Sequence, residues 1–179
     1  LWSREIPKGH NAPTAERITR IERYTMLNIG VVGSGGIVSK HIRHLEGCAD
    51  GKIVALCDVN PAMIRNVNEK FFEDGPLPGY ATPEEMYDNE KLDALIVTSP
   101  HTLHYGHAVQ ALDAGCHVFL EKPMTTSSTD ARDLADKAEQ LGKVVAVGYN
   151  TASKQVFQYL RQQIRAGAWG TLEMVTGFI

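Results

Sequence analysis

The sequence predicts an α/β domain, an open, doubly wound parallel sheet with helices on both faces. Three observations predict it. From residue 27 onward, short apolar runs alternate with amphipathic stretches too long for hairpin turns, which is the β-α-β rhythm of parallel strands. Asp93–Thr98 (DALIVT) is almost continuously apolar, as a strand buried on both faces requires. Chemistry-bearing residues follow one strand after another, so they crowd the carboxyl rim where such sheets gather ligands.

The elements follow in order. Leu27–Val32 is a strand and Gly36–Leu45 a helix. Lys52–Cys57 is the second strand, and Pro61–Phe72 a helix with proline in its first turn. Gly75–Gly79 (GPLPG) is a loop, and Tyr80-Ala81 a very short strand. Thr82 caps a helix that runs to about Asn89, and Glu85 completes a capping box. The Asp93–Thr98 strand leads to a helix over His104–Ala114, stopped by Gly115. His117–Leu120 is a strand, Ser128–Leu141 a helix with Ala131, Leu134, Ala135 and Ala138 on one face, and Lys143–Val147 the sixth strand. Ser153–Ala166 is a helix with Val156, Leu160 and Ile164 spaced by four, ended by Gly167. Thr171–Ile179 alternates Leu172, Met174, Thr176 and Phe178, the pattern of a half-buried strand, and reads as the first strand of a second, α+β domain.

Residues 1–25 differ from the rest. They hold five Lys/Arg, three Asp/Glu and two prolines with few bulky apolar positions. They read as a disordered leader, with Met26 as the natural beginning of the fold. The division is then a leader over 1–25, a nucleotide-binding domain over 26–150, and a linking helix plus first strand of a truncated domain over 151–179.

Composition narrows the class. Apolar content of 43% and charged content of 22% are ordinary for a globular protein. A net charge of -3 gives no reason to expect nucleic-acid or anionic-membrane binding. Cys48, Cys57 and Cys116 form no C-x-x-C, and two of them sit in or beside apolar runs. Reduced thiols and a cytoplasmic location are expected.

Function is most legible in Leu27–Asp58. The first strand ends in Gly33-Ser34-Gly35-Gly36, a helix follows, and the second strand ends in Asp58. Gly33 allows a sharp turn, and Gly35 lets backbone approach a pyrophosphate. The amides opening the helix face that anion. Asp58 stands where it can accept hydrogen bonds from an adenosine ribose. The sixth position of the pattern is Val38, where Gly or Ala is the usual choice. The cofactor expected is NAD in preference to NADP, because a carboxylate repels a 2′-phosphate and neither Val59 nor Asn60 is cationic.

A second cluster follows. Thr98–Met124 reads TSPHTLHYGHAVQALDAGCHVFLEKPM, and the sixth strand ends in Gly148-Tyr149-Asn150. The glycine turn, the S-P-H-x-x-H loop, the A-L-D-A-G-C-H-V-F-L-E-K-P run and the V-G-Y-N end together resemble the glucose–fructose oxidoreductase / inositol dehydrogenase (Gfo/Idh/MocA) family over Leu27–Ile179. The resemblance implies a Rossmann-type domain and hydride transfer between nicotinamide and a sugar or polyol alcohol. It places Gly33, Ser34, Gly35, Gly36 and Ile37 at the pyrophosphate and Asp58 at the adenosine ribose. Ser99 and Pro100 would line the cofactor's middle, with His104 at the adjoining helix start. Glu121 would approach the nicotinamide ribose, and Lys122 the nicotinamide and the substrate hydroxyl as the catalytic residue. Pro123 would fix the turn through a cis bond, and Tyr149 and Asn150 would edge the pocket. The chain departs from the pattern at His101, where Asn is common, and at Thr151-Ala152-Ser153, where Arg is common. The resemblance also implies a proton-transferring histidine in a C-terminal domain beyond this segment.

The histidines have plainer readings. His101, His104 and His107 form H-x-x-H-x-x-H, but three-residue helical steps do not bring all three to one point, and no metal is expected. His41 and His44 read as solvated helix-face residues, and His117 as a packed, hydrogen-bonded ring. Two other functions stay open: a catalytically silent nucleotide-binding module, and a glycoside hydrolase using bound NAD as a transient oxidant. Association of two copies through 171–179 is a further expectation, since that strand has no predicted neighbour.

Overall fold

The computed structural model describes residues 26–150, 154–174 and 176. The leader over 1–25 therefore lies outside the described residues, as do 151–153, 175 and 177–179.

Six parallel strands form one sheet: β1 Leu27–Val32, β2 Gly51–Cys57, β3 Gly79–Tyr80, β4 Ala94–Val97, β5 His117–Leu120 and β6 Val145–Val147. Their order is β3-β2-β1-β4-β5-β6. The order reverses between β1 and β4, which makes that boundary the switch point where a crevice opens. The helices are α1 Val38–Leu45, α2 Pro61–Phe71, α3 Pro83–Asn89, α4 His104–Asp113, α5 Ser128–Gln140 and α6 Gln155–Arg165.

Local chemistry explains the boundaries. The Asn60 side chain caps α2 by accepting from the Ala62 N–H, with Pro61 in the first turn. Thr82 Oγ1 accepts from the Glu85 N–H, and Glu85 Oε2 accepts from the Ala81 N–H, a capping box displaced by one residue. Ser127 Oγ accepts from the amides of Thr129 and Asp130 at the head of α5. Gly115, Gly142 and Gly167 adopt φ of +80°, +63° and +69° just past the ends of α4, α5 and α6.

The sheet is covered on both faces. Val38 and Ile42 of α1 and Ile64 and Val67 of α2 pack with Ile29, Val31, Ile53 and Leu56 on one face. Met86 of α3, Ala108, Ala111 and Leu112 of α4, and Leu134 and Ala138 of α5 pack on the other. Val38, the residue at odds with the glycine pattern, is fully buried in the first of these clusters. Cys57 and Cys116 are buried and Cys48 is exposed, all as free thiols. Burial, followed by the Asp58 charge, pushes the Cys57 thiol up to about 12.

Two expectations change toward the C-terminus. Helix α6 forms, but it has no buried residue. Residues 171–174 are not in a strand, and Leu172 and Met174 are exposed. A strand needs a neighbour for its amides and carbonyls, and the described residues supply none there. The expected association through 171–179 thus has no strand over 171–174 to carry it. Phe178, the third residue of its expected apolar face, lies outside the described residues. No helix among the described residues is long and apolar enough to cross a membrane.

Candidate functional site

The parallel register brings the ends of β1, β2, β4, β5 and β6 to one rim. At the end of β1, Gly33 has φ +94°, a conformation that disfavours any side chain. A Cβ there would also lie 2.5 Å from the Ser99 amide nitrogen. Gly33 is thus required by its own backbone and by the close pass of the segment after β4. Thr98 tightens that pass, donating its hydroxyl to the Gly33 carbonyl.

Gly35 and Gly36 have the opposite surroundings. A Cβ on either would meet nothing within 4 Å. Among the described residues, no acceptor takes the amides of Gly35, Gly36 or Ile37. Three consecutive amides at the head of α1 are therefore without an acceptor among the described residues, the donor arrangement an anion fits. The next amide, that of Val38, is committed to the Gly35 carbonyl at 3.2 Å.

Asp58 stands beside this turn, half-buried. Its Oδ2 accepts from the Ser34 N–H at 2.8 Å, and its Oδ1 from the Asn60 N–H at 2.8 Å. Two backbone donors fix the carboxylate, and each oxygen keeps acceptor capacity for an outside hydroxyl. Ser34 is buried, and its hydroxyl has no partner among the described residues. Glycines with open space above them, free amides and a pinned carboxylate make a donor and acceptor set that suits the pyrophosphate and ribose of a dinucleotide.

On the other side of the switch point a cleft of about 860 Å3 opens beside α1, within the size range of small-molecule pockets. Ile37, Ser99, His101, Glu121, Lys122 and Asn150 are among its lining residues. Its floor is the sheet face that α1 leaves uncovered, formed by Ile96, Phe119 and Val147. Pro100, exposed, precedes a 3-10 turn over His101–Leu103. Lys122 is exposed, and its ammonium has no ion-pair partner among the described residues. The Lys122–Pro123 peptide is cis, as the resemblance implied.

His104, the first residue of α4, is fully buried and stands in the wall of the cleft. Its Nδ1 lies 2.8 Å from the Pro123 carbonyl oxygen and its Nε2 2.9 Å from that of Ser99. Both partners are carbonyl acceptors, so a neutral ring donates to one of them and only packs against the other, sitting between the segment after β4 and the segment after β5. The other two histidines of H-x-x-H-x-x-H diverge from it. His101 is exposed and meets His104 edge to face, with centroids 5.4 Å apart. His107 Nδ1 pairs with Ser99 Oγ at 2.9 Å, and burial holds its pKa below the usual histidine value. Among the described residues, no three His, Cys, Asp or Glu side chains gather to hold a metal ion. His117 is packed and hydrogen-bonded, its Nδ1 accepting from the Val144 N–H at 3.0 Å.

His41 departs from its sequence reading. Rather than lying on a solvated face, it lines the cleft, with Nε2 2.8 Å from Glu121 Oε1. The signal was present: Ile37, His41, His44 and Leu45 recur at helical spacing, and all four line the cleft.

Comparison with known proteins agrees with this geometry. Residues 27–149 match the family model GFO_IDH_MocA, described as an oxidoreductase family with an NAD-binding Rossmann fold. The chain is 32% identical over 151 residues to D-glucoside 3-dehydrogenase of Escherichia coli K12, covering 84% of this chain and 42% of that protein. It is 36% identical over 146 residues to inositol 2-dehydrogenase of Agrobacterium fabrum, covering 79% of this chain and 43% of that protein. Among solved structures, the WlbA dehydrogenase of Chromobacterium violaceum in complex with NADH and UDP-GlcNAcA aligns with a TM-score of 0.74 and 26% identity. That alignment covers 81% of this chain and 41% of the other. The chain thus spans less than half the length of these relatives.

Proposed function

This chain belongs to the Gfo/Idh/MocA oxidoreductase family with the NAD-binding Rossmann fold, and we propose that residues 26–150 hold NAD while a sugar or polyol hydroxyl is oxidised beside Lys122. The observation that carries this reading is the pairing on one rim of three free amides over Gly35–Ile37 with the pinned Asp58 carboxylate. The amides take the pyrophosphate oxygens, and the helix dipole of α1 adds to their attraction. Asp58 accepts from ribose hydroxyls. A 2′-phosphate would meet the same carboxylate with no cation next to it, so NAD is preferred over NADP. Bound NAD supplies the hydride acceptor. The Lys122 ammonium stabilises negative charge developing on the alcohol oxygen. Ser99, Glu121 and Asn150 shape the cleft in which that oxygen sits, and the buried His104 ring packs between the segments carrying Ser99 and Lys122.

Substrate class rests on the relatives, which act on glucosides and inositol by name. Both are dehydrogenases, which leaves the glycoside-hydrolase reading without support. A silent nucleotide-binding module remains the competing reading. Calorimetric titration of the chain with NAD and NADP tests the cofactor assignment. Tighter NAD binding is expected, and Asp58→Ala is expected to weaken it about tenfold or more, the weight of hydrogen bonds to a charged group. Tighter NADP binding would reject the Asp58 role. The full-length protein with a panel of sugars and cyclic polyols tests the reaction, with Lys122→Ala as the inactive control; a full-length protein that binds NAD and reduces it with none of them favours the silent module.

A further inference from the structure

We infer that His41 is the positioning residue of the nicotinamide end of the site, holding the Glu121 carboxylate and through it the backbone that carries Lys122; this rests on the NAD-binding reading above. Two polar contacts converge on that carboxylate, and Gly148 lies close beside it. His41 Nε2 lies 2.8 Å from Oε1, while Oε2 accepts from the Lys122 N–H at 3.2 Å. Gly148, at the end of β6, closes the third side: a Cβ on it would lie 3.6 Å from Oε1 and 3.3 Å from Phe119 Cζ. The His41 and Glu121 side chains are only 15% and 17% exposed, so water competes weakly for their bond. The imidazole is itself fixed, packing edge to face on Phe119 with centroids 5.3 Å apart.

The placement gives the pair its consequence. His41 rises from α1, whose head presents the three free amides. Glu121 follows β5, one residue before Lys122. The bond therefore spans the switch point and links the pyrophosphate end of the site to its nicotinamide end. A ring that only filled space beside Phe119 would serve equally as phenylalanine. A ring that positions the carboxylate would not, whereas a glutamine could still donate to Oε1.

Fluorescence titration with NADH, and calorimetry with ADP-ribose, which lacks the nicotinamide, test this on the full 179-residue chain. His41→Phe is expected to weaken NADH about fivefold or more and to change the emission of bound nicotinamide, with ADP-ribose affinity kept within about twofold. His41→Gln is expected to restore most of the NADH affinity and the emission. Unchanged NADH affinity and emission in His41→Phe would overturn the positioning role. So would equal losses of NADH and ADP-ribose, which mean a general disturbance of α1, or a His41→Gln that behaves like His41→Phe. A wild-type chain that binds neither ligand would overturn the NAD-binding reading itself, and this inference with it.

Discussion

Helices α5 and α6 carry the same kind of apolar stripe and meet different fates. In α5, Leu134 and Ala138 are buried against the sheet. In α6, Val156 and Ile164 repeat the helical spacing, yet no residue of the helix is buried. Both helices end at a glycine in the left-handed region, so local signals do not separate them. The difference lies in the neighbours. An amphipathic pattern says which face of a helix requires cover, and it is silent on whether the segment around it supplies that cover. The rim repeats the lesson within one turn: Gly33 is crowded by the backbone of Ser99, while Gly35 and Gly36 face open space.

The sharpest way to break the comparison is to truncate one residue from each stripe. Leu134→Ala removes a fully buried side chain and should cost about 2–5 kcal/mol in a denaturant melt. Ile164→Ala, at a position 40% exposed, should change stability by less than about 0.5 kcal/mol. Comparable losses would mean that α6 has a packing partner in solution.

The two kinds of glycine invite a second test. Gly33→Ala forces a side chain into φ +94° and against the Ser99 amide, and should cost about 2 kcal/mol or more. Gly35→Ala meets no neighbour and should leave the melt nearly unchanged. It should instead weaken NAD, because its methyl group stands where the pyrophosphate would approach. A Gly35→Ala chain that binds NAD as well as the wild type would place the anion elsewhere.

These contrasts explain how far the sequence could be read. All six strands of the sheet and the helices between them were legible, because every strand but the two-residue β3 carries an apolar run and the connections carry caps and glycines that act within a few residues. The convergence of Gly33, Asp58, Ser99 and Lys122 on one rim was legible too, since parallel strands send their ends the same way. Contacts that depend on the closing angle of a helix were not. His41 and Glu121 are 80 residues apart, and only the packing of α1 on the sheet brings them to 2.8 Å. His104 opens α4, as the resemblance implied, but its full burial between the segments after β4 and β5 depends on tertiary packing as well. The strand expected over 171–179 differs in another way: it does not form over 171–174. Its alternation is real, but pairing is not a property of one segment.

The smallest expected effect concerns pH, and it separates the two sides of the switch point. His107 lies behind Ser99, on the face covered by α3, α4 and α5. Burial is the main cause holding its pKa below the ordinary value of 6.5; the Glu84 carboxylate pulls the other way, and His104 adds to the depression. The folded ring therefore stays neutral at pH values where an unfolded histidine takes up a proton. In that window the unfolded chain binds more protons than the folded one, so stability falls as pH drops below about 6.5 and is fully present above it. The fall ends once the pH passes the folded pKa. His107→Gln abolishes this titration while keeping a polar group beside Ser99. The urea midpoint of the variant should accordingly change less between pH 7.5 and pH 5.5 than that of the wild type. The carboxylates titrate in both proteins and cancel from the difference. His117, depressed by burial and then by Lys143, should add a dependence of the same sign. Parallel pH profiles for wild type and His107→Gln would mean that water reaches the ring and that its bond to Ser99 does not persist in solution.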